Sequence, residues 1–419
     1  MASAHHLRPR RGWLNDPNGM LRRDGRWHVF FQHNPARAEH GDIHWGHASS
    51  RDLVSWLEHP VAFGPTPSAP DAAGCWSGVA LDLGARVAAV YTACALGPRT
   101  TTVCIRYAAD AELDVWSPPV VVAHQHDVPS TARVREMRDP FLFEAGGRRW
   151  ALLGAGIGDL GTGPAQWSPA LLLWSCDDLE RWRFERVWLD DGDTVLGAPS
   201  AGPANIWECP QLVDVDGLAV LLVSLWLRDE LTGVAQAIGE LTVGDDGVPA
   251  LALQTLEPFD TGDACYAPQV AMDEEGPWAL GWVKQDAIAP WTHPDAVAGC
   301  LTLPRRPRRE GQHVWWEADR RTQALVGPSV EPDGPIGRSR ALPAAARVVL
   351  DPSGGPARLS RGDLVVELGA GTTVWVDDDV VEAYPPNAAP ATHRAPGPDP
   401  WVLEQAGAPT PHVRSLRPR

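Results

Sequence analysis

A recurrence restricts the fold of this chain more than any other feature. Ser50-Arg51-Asp52-Leu53-Val54-Ser55-Trp56 returns as Ser175-Cys176-Asp177-Asp178-Leu179-Glu180-Arg181-Trp182, and more loosely as Ala109-Asp110-Ala111-Glu112-Leu113-Asp114-Val115-Trp116. The three tryptophans stand 60 and 66 residues apart. One four-stranded propeller blade with its loops fits that interval, and propellers run to roughly 4–8 blades. Residues up to about 325 hold about five such units. The segments between agree with this. Short apolar runs such as Trp27–Gln32, Val87–Thr92, Trp150–Leu153, Leu171–Trp174 and Ala219–Leu225 are bounded by turn residues, and long helical periodicity is scarce. The 40 Gly and 40 Pro supply those turns. An all-β chain is expected, with a five-bladed β-propeller over residues 1–327.

From residue 328 the composition changes. Gly327-Pro328, Pro332-Asp333-Gly334-Pro335 and Leu342–Ala346 read as a loose connection. Strand-like pieces follow at Arg347–Leu350, Asp363–Leu368, Thr372–Val376 and Val380–Tyr384, with Asp377-Asp378-Asp379 as a hairpin tip. Residues 328–419 are therefore expected to form a small, shortened β-sandwich. Its Pro- and Ala-rich tail from Pro385 is expected to be poorly ordered.

Charge and cysteine usage exclude several functions. A net charge of -17 argues against general nucleic-acid binding, which needs a basic surface. No apolar run approaches the length of a membrane-spanning helix. The N-terminus lacks the apolar stretch of a secretory signal, so a cytoplasmic protein is expected, or a secreted one whose signal was removed. Seven scattered Cys without a CxxC pair read as small buried residues, with neither a disulfide framework nor a metal centre. The Arg305-Arg306-Pro307-Arg308-Arg309 cluster reads as a solvated loop.

Three acids sit in unusual contexts. Asp16 lies in Trp13-Leu14-Asn15-Asp16-Pro17-Asn18-Gly19: the proline holds Asp16 extended, and Asn18-Gly19 is expected to turn the chain at once, presenting the carboxylate at the start of a strand. Asp139 lies in Arg138-Asp139-Pro140, where the guanidinium is expected to keep it ionised. Glu208 lies in Trp207-Glu208-Cys209-Pro210, apolar surroundings that raise a carboxyl pKa and suit a proton donor. Innermost strands of separate blades surround one axis, so remote acids can converge there. Two carboxyls across a glycosidic bond are the minimum for glycoside hydrolysis.

These segments resemble glycoside hydrolase family 32, the invertases, levanases and inulinases. The motifs stand here as Trp13–Gly19 (with Leu14 in place of Met), Arg138–Pro140 and Glu208-Cys209. Phe30–Pro35, His44–Ala48, Gly74–Gly78, Asp263–Gln269, Gly281-Trp282 and Leu303–Arg305 follow in the family's order, so the resemblance covers roughly residues 5–310. It implies a propeller followed by a β-sandwich and a retaining enzyme that releases fructose from non-reducing β-D-fructofuranosides. Asp16 would be the nucleophile, Glu208 the acid/base and Asp139 the stabiliser of the transition state, with about 5–5.5 Å between the Asp16 and Glu208 carboxyls. Asn15, Gln32, Trp45, Trp76, Ser77, Arg138, Tyr266 and Trp282 match positions that line the fructose pocket. No metal or organic cofactor is implied. The partner is a small-molecule or oligosaccharide substrate, with no nucleic acid and no membrane.

The chain departs from the family at His40-Gly41-Asp42, where an aromatic is usual, so His40 is expected to replace one pocket wall with a titratable ring. A fructosyltransferase on the same scaffold, an arabinan- or xylan-processing propeller and an inactive sugar-binding propeller are the alternatives. The acidic net charge disfavours a phosphorylated substrate unless a local basic pocket exists.

Overall fold

In the computed structural model the described residues are 5–96, 101–288, 295–330, 339–350, 353, 355–405 and 411–417. Five sheets occupy the first three quarters of the chain. Each is an antiparallel meander whose strands pair in chain order. Their first strands are Gly12–Arg23, Gly74–Asp82, Val134–Ala145, Ile206–Val215 and Cys265–Asp273. Each first strand packs against that of the next sheet, and the fifth packs against the first. The sheets therefore surround one axis as the blades of a β-propeller. Val297–Ala298, from the fifth-sheet connection, runs parallel beside Gly12–Trp13 and ties the last blade to the first.

The recurrent Asp–Trp segment has one structural meaning. In the first three blades it makes the hairpin from third to fourth strand, between His44–Ser50 and Trp56–Glu58, Thr101–Tyr107 and Val120–His124, and Ser168–Ser175 and Arg183–Asp190. Asp52 Oδ1 accepts from the Val54 and Ser55 amides, and Asp110 Oδ1 from those of Asp114 and Val115. The Asp52 contact is an Asx turn and Asp110 reaches further along its hairpin, and both satisfy backbone donors that a tight connection leaves free. The indoles of Trp116 and Trp182 close the turn on the carbonyls of Leu113 and Leu179, both at 2.9 Å.

Strand membership changes at Val326–Ser329, which pairs with His412–Leu416 in a second unit. We propose the domain division here, near residue 327. The second unit is a β-sandwich. A six-stranded sheet faces a four-stranded one across Val348, Leu359, Val374, Val376, Trp401 and Leu403. Two expectations fail in it, and a third fails in the fifth blade. The described residues of the tail form strands: Ala391–Arg394 and His412–Leu416 belong to the larger sheet and Val402–Gln405 to the smaller, because alternate apolar residues there complete the sandwich core. Leu342–Ala346 is not a loose connection, since Leu342 and Ala346 are core residues and a strand starts at Ala345. The arginine cluster is a strand, Arg305–Glu310, and not a solvated loop. Arg305 is fully buried on Asp260 and Glu382, and Arg306 is held by Asp273 and Asp319. Residues 332–335 of the expected linker lie outside the described residues.

Arg305 belongs to a buried polar junction between the two units. Glu382 accepts from Arg305 and from the Leu303 amide, and contacts His6 Nε2 at 2.8 Å. Asp377, at the hairpin tip, accepts from the His5 and His6 amides and meets His6 Nδ1 at 2.7 Å. The N-terminal segment is thus clasped by the sandwich. All seven Cys are buried and free of disulfides. No helix among the described residues is long and apolar enough to cross a membrane.

Candidate active site

The five first strands share a distortion. Strand register shifts between Leu14 and Pro17, Cys75 and Gly78, Arg138 and Phe141, Glu208 and Gln211, and Tyr266 and Gln269. Asp139, Cys209 and Ala267 take left-handed backbone angles there, with φ of 59°, 47° and 44°. A β-bulge re-aims side chains that regular pleating would send into the sheet–sheet packing. Here the bulged segments bring Asn15, Asp16, Trp76, Arg138, Asp139, Glu208 and Tyr266 to one cavity of about 330 Å³. Asn18-Gly19 is not the expected turn. It lies inside Gly12–Arg23 at a second register shift, so Asp16 sits within a strand and not at its start. Gly19 has φ of 48°, and a Cβ there would lie 2.8 Å from the Trp45 ring, which explains the glycine.

Hydrogen bonds hold each acid. Asp16 receives Asn15 Nδ2 at 3.1 Å on Oδ1, and Gln32 Nε2 at 2.9 Å and Ser77 Oγ at 2.6 Å on Oδ2. Trp13 in turn donates to Asn15 Oδ1 at 2.8 Å. The Asp139 amide donates to Thr92 Oγ1, and its carboxylate receives the Cys209 amide at 3.0 Å. The Cys209 sulfur touches both acids, 3.7 Å from Asp16 and 3.5 Å from Asp139. Glu208 receives Arg138 Nη1 at 2.8 Å on one oxygen and the Tyr266 hydroxyl at 2.7 Å on the other. Arg138 also pairs with buried Glu136, and its guanidinium lies between Trp76 and Trp226, 5.6 and 5.8 Å from their ring centroids.

Burial governs the protonation of the cluster. It raises the Asp16 carboxyl, against hydrogen bonds led by Ser77 and Asn15. It raises Glu208 against the pull of Arg138 and Tyr266, with the Asp16 charge adding to the rise. Asp139 is raised by burial and then by the Glu208 charge, which together outweigh Arg138. The expectation that Arg138 keeps Asp139 ionised therefore fails, because the guanidinium is directed at Glu208 and Glu136. His40 lines the same cavity beside Trp76; burial lowers its pKa while the Asp16 charge raises it.

Gln32 and Trp282 also line the cavity. Two expected pocket residues stand behind it. Trp45 has no exposed surface; its indole donates to the Trp76 carbonyl and its ring stacks on Phe63. A fully packed ring cannot touch a ligand, so Trp45 supports the wall and does not form it. Ser77 does not line it; its hydroxyl donates to Asp16 and accepts from Gln32. Trp13, from the first motif, is also a wall residue, and Trp226, Asp229 and Leu231 are wall residues that motif reading left unassigned. Trp226 could have been inferred from strand pairing, because it faces Ile206 across the hairpin that carries Glu208. Asp229, at φ of 69° in the next turn, left no signal in the sequence.

The sequence model of the glycosyl hydrolases family 32 N-terminal domain matches residues 6–314. A raffinose invertase of Escherichia coli is 31% identical over 72% of this chain and 61% of its own length. A sucrose-6-phosphate hydrolase of Bacillus subtilis is 30% identical over 74% of this chain and 63% of its own. The chain thus spans less than two thirds of the length of these relatives. Among solved structures, a β-fructofuranosidase of Bombyx mori in complex with sucrose superposes with a TM-score of 0.79 at 20% identity, covering 100% of this chain and 94% of that one. Fructan 1-exohydrolase IIa of Cichorium intybus gives 0.71 at 18% identity, covering 99% and 96%. At such identity the structural likeness speaks for the fold.

Proposed function

The chain belongs to glycosyl hydrolases family 32, and from that premise we propose that it is a retaining β-fructofuranosidase acting on neutral, unphosphorylated fructosides such as sucrose and fructo-oligosaccharides. The observation that carries this reading is the meeting of Asp16, Asp139 and Glu208 on one cavity. Asp16, surrounded by donors, attacks the anomeric C2 of a terminal fructosyl unit. Glu208, raised by burial, gives its proton to the leaving oxygen and then takes one from the water that releases fructose. Asp139 accepts hydrogen bonds from fructose hydroxyls as positive charge develops on the ring. Asn15, Gln32, His40, Arg138, Tyr266 and Trp282 supply polar contacts, and Trp76 covers the apolar ring face. Gln32 Oε1 and Trp282 Nε1 are buried without a protein partner on cavity-lining residues, free to bond a sugar.

The walls favour a neutral substrate. Their acidic side chains are Asp16, Asp139, Glu208 and Asp229, and their one guanidinium, Arg138, is already shared by Glu136 and Glu208. In the adjoining cavity Lys284 donates to the Leu231 carbonyl and Arg394 pairs with Asp379. Among the described residues of these walls, a phosphate would find each of these cations already engaged by a protein acceptor. The test is fructose release from sucrose, 1-kestose, inulin, levan and sucrose 6-phosphate, with Asp16→Ala and Glu208→Ala as controls. Undiminished release by either variant overturns that residue's role, and preference for the phosphorylated sugar overturns the substrate class.

A further inference from the structure

Away from the cavity, where the first two blades meet, a column of imidazoles ends on a carboxylate. His28 lies on Arg26–Asn34, His47 on the neighbouring His44–Ser50, and His59 just beyond Trp56–Glu58. Asp114 reaches them from the Asp–Trp hairpin of the second blade. Its Oδ1 lies 3.5 Å from His47 Nδ1 and 3.5 Å from His59 Nδ1. The other nitrogen of each ring is engaged: His47 Nε2 contacts His28 Nδ1 at 3.0 Å, and His59 Nε2 contacts Ser49 Oγ at 2.8 Å.

The hydrogen-bond accounting does not close. His47 is fully buried, yet neither its Nδ1 nor the facing Asp114 Oδ1 has a hydrogen-bond partner. A proton on His47 Nε2, donated to His28, leaves a lone pair facing a carboxylate. A proton on Nδ1 leaves a gap of 3.5 Å, beyond the usual 2.7–3.2 Å. A cation resolves the mismatch. At zinc bond lengths of roughly 2.0–2.2 Å, tetrahedral ligand atoms lie about 3.3–3.6 Å apart, which is the separation found between each Nδ1 and Oδ1. One donor atom from each of the three residues lies within 4.8 Å of the others.

We propose that His47, His59 and Asp114 form a binding site for a divalent transition-metal ion, Zn²⁺ by ligand type, that clamps the first blade to the second. Two imidazoles and a carboxylate suit zinc better than calcium or magnesium. His28 and Ser49 orient the ligand rings from their far nitrogens, as outer partners of metal-bound histidines do. Water completes the coordination, reached past His59 and Asp114, whose side chains are 16% and 29% exposed. The His47 and His59 rings stack with centroids 4.2 Å apart and planes 20° apart, so binding must tilt them until both lone pairs meet the ion. The clamp lies outside the reacting groups and acts on stability.

The test uses the full chain, stripped with a chelator, dialysed and titrated with Zn²⁺ by calorimetry, with Co²⁺ absorption reporting coordination. One equivalent is expected to bind, with a four-coordinate Co²⁺ spectrum and a higher Tm. Ser49→Ala should weaken binding by about 10–100-fold, and Asp114→Asn by more, with fructoside hydrolysis by Asp114→Asn unchanged. His59→Gln poses the same question at a more exposed position should Asp114→Asn fold poorly. Absence of a bound equivalent in the wild-type chain, or equal binding by the wild-type and ligand-variant chains, overturns the proposal.

Discussion

Replacing Ser77 with alanine removes the shortest hydrogen bond that Asp16 accepts, 2.6 Å, and leaves it Asn15 at 3.1 Å and Gln32 at 2.9 Å. A hydrogen bond to a charged group contributes about 1.5–3 kcal/mol. At 1.36 kcal/mol per unit, its loss raises the Asp16 pKa by about 1–2 units, on top of the rise that burial imposes. The proposed nucleophile works as the anion, so a higher pKa extends the acid range in which it is protonated and inactive. The acidic limb of kcat/KM against pH should therefore move up by about 1–2 units, while the alkaline limb stays in place. At a pH below the wild-type acidic limb, kcat/KM should fall by about 10–100-fold, the factor that a pKa rise of about 1–2 units imposes on the anionic fraction. The assay is kcat/KM for sucrose across both limbs, with Ser77→Thr as the variant that keeps a hydroxyl and Tm as the check on folding. An acidic limb that stays fixed or moves to lower pH refutes the role given to Ser77 and to the charge on Asp16.

Glu208→Gln keeps the shape but cannot exchange a proton, and kcat for sucrose should fall by about 10²–10⁴-fold; azide rescue measured beside it tests whether the nucleophile survives. His6→Ala should cost about 3–5 kcal/mol, because it strips a partner from buried Asp377 and Glu382. Burial alone would lower the His6 pKa, but bonds from the two carboxylates raise it to about 10. The stabilisation is therefore complete below about pH 6.5 and is lost as pH rises through about 10, so wild-type and variant denaturation midpoints should converge in alkali. In Gly78→Ala the new Cβ would lie 2.0 Å from the Val90 carbonyl oxygen, and overpacking against backbone should lower stability by about 3 kcal/mol in urea melts. Asp229→Lys should narrow the preference for sucrose over sucrose 6-phosphate by reversing one charge on the cavity wall; an unchanged kcat/KM ratio counts against the electrostatic account.

Much of the blade architecture was legible because its signals are local. The Asp–Leu–Trp recurrence marks a hairpin whose Asx turn is made within a few residues, and apolar alternation marks the strands around it. The three acids were legible through their Trp, Arg and Pro neighbours. What misled was local reasoning applied to long-range partners. Arg138 adjoins Asp139 in sequence, yet the bulge sends its guanidinium to Glu208, 70 residues onward. Arg305 and Arg306 read as surface charge, yet one is buried against sandwich residue Glu382. The tail looked disordered by composition, yet its short strands complete both sheets of the sandwich.

By itself the sequence determined the fold class, the repeat and the local contexts that single out the three acids found on one cavity, because turn chemistry, strand periodicity and residue type act over a few positions. The tertiary structure decided which carboxylate each cation serves, which tryptophans meet the cavity and which support it, and how far burial raises the acids. Those properties depend on distances between blades and on the water each group loses. Trp45 and Trp76 belong to neighbouring motifs in the sequence, but only blade packing puts one wholly inside the protein and the other on the cavity wall.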